Sequence, residues 1–126
     1  MNIHSAVIAI GLSALVLSAF AQPASACSCR KLSVESAIEA TPIVFEGEVV
    51  AVRMTGNGNE QITTVRVLRS IKGDVTGEVE IRTHTMSAAC GYDFRGKRPV
   101  LTIGASRRDD GGLGTNLCTM YMLNQS

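Results

Sequence analysis

Tryptophan is absent from this chain of 126 residues, and aromatic side chains of any kind are scarce. Past residue 26 they are Phe45, Tyr92, Phe94 and Tyr121. A binder of single-stranded nucleic acid stacks bases on such rings along a basic groove. Neither a ring platform nor a basic stripe is evident, so nucleic acid is not an expected partner. Histidine is nearly missing too, His84 being the only one beyond residue 26. One imidazole with no matching carboxylate or cysteine set cannot build a catalytic zinc site of the chain's own, and His84 reads as an exposed strand residue. No nucleophile–base constellation stands out. Neither an enzyme nor a cofactor is expected.

The sharpest absence is local. Residues 1–26 hold no Asp, Glu, Lys or Arg, so all twelve basic and eleven acidic residues lie beyond them. From Ile3 to Phe20 the run is almost wholly apolar, and Ala24-Ser25-Ala26 follows Pro23. An apolar stretch, a helix breaker and small residues before the cut describe a secretory signal peptide cleaved after Ala26. The expected location is therefore extracellular or periplasmic. Two alternatives compete. About 18 apolar residues approach the length of an uncleaved membrane anchor. Ala24-Ser25-Ala26-Cys27 also loosely resembles a lipobox, although the large aliphatic residue three before the cysteine is missing. Lipidation would consume the Cys27 thiol, block its amine and anchor the protein. Without it, no stable anchor is expected.

Four cysteines are present: Cys27, Cys29, Cys90 and Cys118. An even count in an exported chain reads as a disulfide framework. Bridging Cys27 to Cys29 across one residue would strain the bond geometry. Each near cysteine should therefore pair with a distant one, which leaves two patterns open. A reduced Cys-x-Cys with Met86, Met120 and Met122 would suit soft Cu(I), but export favours disulfides. A domain of about 100 residues has a modest core and gains from such staples.

Beyond the cysteine pair, Ser33 caps a short helix over residues 33–40 that Thr41-Pro42 stops, with Val34, Ala37 and Ile38 as its buried stripe. Strand signals follow. Residues 43–53 are rich in Val and Ile, and Gly47 marks a bend or bulge. Thr55 to Asn59 is a hairpin loop. Residues 61–71 set Thr63, Val65 and Val67 against Thr64, Arg66 and Leu68, and residues 78–85 set Val79, Ile81 and Thr83 against Glu80, Arg82 and His84. Residues 86–91 form a loop, 100–103 a fourth strand and 113–118 a fifth. One all-β domain, residues 27–126, with a short helix and a five-stranded Greek-key barrel of the OB type, fits this order.

Several of these stretches carry a family resemblance. They are Cys27-Ser28-Cys29, Ile43 to Val49, Ile71-Lys72-Gly73, and Met86 to Tyr92 with its Ala-Cys-Gly, followed by Phe94 and Cys118. In this order the chain resembles the N-terminal inhibitory domain of the tissue inhibitors of metalloproteinases, a branch of the netrin-like modules, as a minimal member of bacterial type. It departs from animal members in lacking a third bridge and in having Arg30-Lys31 after Cys29.

The resemblance implies Cys27–Cys90 and Cys29–Cys118 bridges and a monomeric inhibitor of zinc metalloproteases. The amine and carbonyl of a mature N-terminal Cys27 would chelate the zinc of the target, so no metal of the chain's own is needed. Ser28 would enter the substrate pocket, and Met86, Ser87, Ala88 and Ala89 would flank it. The alternative is a non-inhibitory netrin-like module that binds another exported protein, with Cys27 and Cys29 as staples only. Arg30, Lys31, Arg95, Lys97 and Arg98 then serve either a contact or plain solubility.

Overall fold

In the computed structural model, which describes residues 27–125, helix α1 runs from Val34 to Ala40. The expected signal peptide and its cleavage site, residues 1–26, lie outside the described residues. Ser33 accepts a hydrogen bond from the Ser36 amide and so caps the helix. At the other end Lys72 Nζ donates to the carbonyl of Ile38, which also accepts from the Thr41 amide, and to that of Glu39. Of the expected stripe, Ala37 is buried, and Val34 and Ile38 are half-buried.

Five strands follow: β1 (Ile43–Met54), β2 (Glu60–Lys72), β3 (Glu78–His84), β4 (Val100–Arg107) and β5 (Leu113–Gly114). They close into a barrel in the order β1-β2-β3-β5-β4. All pairings are antiparallel except β3 with β5, where Ile81 lies opposite Leu113. This is the five-stranded Greek-key barrel of OB type. Closure depends on β1, which serves β2 along its length and β4 along its first half. A strand that feeds two neighbours must coil, and β1 does so through register shifts at Val44/Phe45, Glu46/Gly47 and Val49/Ala51. Gly47 sits at the tightest point, where a Cβ would collide with the Val65 side chain.

The barrel core contains Phe45, Val65, Ile81, Ile103 and Met120, all fully buried. Tyr92 and Phe94 join it edge to face, with ring centroids 4.9 Å apart. Three of the four aromatics past residue 26 are thus spent on the core. Outside the barrel wall, Ala37, Val44 and Leu123 form a second cluster between α1 and the last helix.

That last helix corrects the expectation for the fifth strand. Residues 113–118 were expected to be extended, but β5 ends at Gly114 and α2 runs from Leu117 to Leu123. The reason is local. Asn116 accepts a hydrogen bond from the Thr119 amide and opens a helix, which a strand reading of Leu113 to Cys118 overlooks. Met120 and Leu123, three residues apart, then bury one helical face. Strand β4 also runs on past Ile103, and its Gly104 is where α2 rests: a Cβ there would overlap Leu123 and Thr119.

Candidate functional site

The two bridges join Cys27 to Cys90 and Cys29 to Cys118, with Cα atoms 5.3 and 5.1 Å apart. They meet at one end of the barrel, because the Leu117 amide donates to the Cys90 carbonyl at 2.8 Å and Cys118 is the next residue. The segment 27–29, the loop holding Cys90 and the start of α2 are therefore fastened to one another. Ser28 between the bridges is exposed.

The loop itself is set by short-range bonds. Ser87–Ala89 form one 3-10 turn, in which the Ala89 amide donates to the Met86 carbonyl and that of Cys90 to Ser87. Cys90 takes a left-handed φ of 65°, which turns the chain back, and the Gly91 amide also donates to Met86. Gly91 lies so close to the His84 carbonyl that a Cβ would collide with it. His84 is exposed, as expected, and its Nδ1 accepts from the Met86 amide at 3.2 Å. Met86, Ser87, Ala88 and Ala89 all face solvent, Met86 at 60% exposure. Their exposure makes this a surface ridge rather than a packed loop.

Behind the ridge, buried polar side chains hold the returning chain. Gln61 accepts from the Phe94 amide at 2.8 Å and donates to Asp93 at 2.9 Å, while Thr83 accepts from the Tyr92 amide. Both are buried; alternation grouped Thr83 with Val79 and Ile81, but the bonding role of neither residue was legible in the sequence. Asp93 also takes hydrogen bonds from the Arg95 guanidinium, which hold its carboxyl far below the usual carboxylate range. Arg95 thus belongs to an ion pair. Burial raises the Tyr92 hydroxyl above its ordinary value, with Tyr121 adding to the rise and Arg98 opposing it.

Two grooves flank Tyr121, which is 65% exposed on α2. One, of about 610 Å³, runs between Tyr121 and the turn bearing Lys97 and Arg98, and it reaches Ser87 of the ridge. The other, of about 480 Å³, lies between Tyr121 and the N-terminal segment, where Cys27 and Cys29 to Leu32 line it. Sequence reading missed both, because the residues that form them, such as Lys31 and Tyr121, lie far apart in the chain. Among the described residues no three His, Cys, Asp or Glu side chains gather as a metal site, and no helix is long and apolar enough to cross a membrane. No protein-family model matches this chain, and no curated protein matches it.

Proposed function

We propose that this chain is an exported inhibitor of zinc metalloproteases that acts through Cys27 once the signal peptide is removed. One observation carries the reading: the two bridges and the Leu117–Cys90 hydrogen bond fasten residues 27–29 beside the exposed ridge 86–89. Two disulfides also fit an oxidising, extracellular-type compartment. The likeness of the cysteine motifs to the inhibitory domain of tissue inhibitors of metalloproteinases supports the same reading.

The chemistry follows from what a catalytic zinc offers. Such a site keeps one position open, normally filled by the water that attacks the substrate. The α-amino nitrogen and the carbonyl oxygen of Cys27 take that position on the target's zinc and displace the water. The amine must be neutral to bind, and α-amino groups titrate at about 7.7–8.0, so near-neutral pH suffices. Ser28, small and exposed, enters the pocket beside the zinc without offering a cleavable geometry. Ser87, Ala88 and Ala89 lie along the same edge, with Met86 at its end. Because the bridges fix these atoms before binding, little conformational entropy is lost on association.

The test compares the chain beginning at Cys27 with one carrying a single added alanine before it. Each is assayed against a panel of zinc metalloproteases, with a serine protease as control. The added residue displaces the amine, so inhibition should fall by about a hundredfold, roughly 2.7 kcal/mol. If the extended chain inhibits equally well, the zinc reading is wrong. The alternative, a non-inhibitory netrin-like module, is favoured by one feature only, the pair of grooves beside Tyr121.

A further inference from the structure

We propose that Tyr121 and its two flanking grooves form a docking surface for an acidic, partly apolar protein segment. This goes beyond the zinc reading and does not depend on it.

Charge is distributed unevenly over the surface. On the barrel wall most cations are neutralised: Arg53 pairs with Glu80, Arg66 with Glu48, Arg69 with Glu46, and Arg82 and Arg108 share Glu60. Lys72 donates to helix carbonyls, and Arg107 has no ion pair among the described residues. Around Tyr121 the cations are not neutralised. Lys97 and Arg98 line one groove and Arg30 and Lys31 the other, all exposed. None of the four is in an ion pair among the described residues. Asp93 is the one acid lining either groove, and Arg95 and Gln61 already hold it. Four unpaired cations therefore surround one exposed tyrosine.

The second floor is apolar, with Leu32, Leu117 and Met122 beneath it. The first is mixed, with Leu101 and Leu117 beside Thr85, Asp93 and Asn124. Tyr92 forms one wall of the first, with the Lys97 ammonium 5.3 Å from its ring centre. A carboxylate on an occupant meets the rim, and an aliphatic side chain beside it reaches the floor. Tyrosine and arginine are favoured anchors at protein interfaces, because they offer large contact area with a polar end. Two concave grooves, one apolar and one of mixed polarity, suit a peptide segment better than they suit a flat anionic lipid surface.

The probe is a short blocked peptide alternating glutamate and leucine, titrated into the ¹⁵N-labelled, disulfide-bonded protein. Its glutamine-for-glutamate counterpart is the control. Amide shifts should centre on Arg30, Lys97, Arg98 and Tyr121, with a dissociation constant at or below about 1 mM. They should weaken as salt screens the rim, and the glutamine peptide should give none. The Lys97→Glu/Arg98→Glu variant should bind at least about tenfold more weakly. Tyr121→Ser, another exposed change, should weaken binding independently; an unaltered spectrum elsewhere verifies the fold of both. Absence of shifts at millimolar glutamate peptide, an equal response to the glutamine peptide, or indifference to both variants overturns the proposal. So does binding to phosphatidylserine–phosphatidylcholine vesicles without binding to the peptide, which would assign the surface to lipid. The titration uses the chain beginning at Cys27, and a failure of that same chain to inhibit any metalloprotease leaves the amide shifts unmoved, so the two readings fail separately.

Discussion

Gln61 shows how much one buried amide decides. It is fully buried in a strand whose neighbours on the same face are Thr63 and Val65, so alternation alone places it inward. What alternation does not supply is its partners, the Phe94 amide and Asp93, more than thirty residues away. A backbone N–H buried without a partner costs about 1–3 kcal/mol, whereas a net hydrogen bond contributes only about 1. Gln61→Leu keeps the volume and removes both bonds. It should lower the free energy of unfolding by about 1–3 kcal/mol, read by urea denaturation. Its second effect is local: amide exchange should quicken from Tyr92 to Arg95, while strand β1 keeps its protection. Uniform acceleration across the barrel would mean that Gln61 is an ordinary packing residue and not the anchor of the chain behind the ridge.

At the scale of elements, what was legible followed from which forces are local. Strands β2 and β3 show alternation because one face meets the core and the other meets water, and period two encodes that directly. The α1 helix was legible from its Ser33 cap and its Pro42 stop. Helix α2 was not, because its buried face consists of Met120 and Leu123 alone, while Tyr121 between them is exposed. Short helices gain most of their stability from packing and little from propensity. Here that packing is supplied by Gly104 on β4, by α1 and by the Cys29–Cys118 bridge, none of which a local window contains. Asn124 adds a strand-like contact, its side-chain amide exchanging hydrogen bonds with the backbone of Thr102. The ridge was legible as a loop from its small residues, but the buried brace behind it was not. Gly104→Ala tests the seat of α2. The added methyl meets Leu123 and Thr119, so overpacking should cost about 1–3 kcal/mol by thermal or chemical unfolding. No loss of stability would show that α2 shifts freely on β4.

For the whole molecule, the question is what the bridges do beyond stabilising a small core. The barrel closes through its own ladders, and neither bridge joins two strands: each ties the segment 27–29 to a loop or to α2. Their sequence separations are 63 and 89 residues. In the chain-entropy model each closure would contribute about 4 kcal/mol, and measured losses on removing one native bridge run from about 2 to 5. The Cys29→Ser/Cys118→Ser variant separates stability from function. It keeps Cys27, its amine and its tie to Cys90, while releasing one of the two fastenings of the tip. Unfolding free energy should drop by about 2–5 kcal/mol, with the sheet signature in circular dichroism retained below the transition. If a rigid tip is what makes Cys27 an effective zinc ligand, inhibition should also weaken under conditions where the variant is fully folded. The ordering entropy would then fall due at binding, as a slower association or a faster release. A variant that is less stable but inhibits as tightly as the parent would confine the second bridge to structure. The work of orienting Cys27 would then rest on the Cys90 bridge and the ridge beside it.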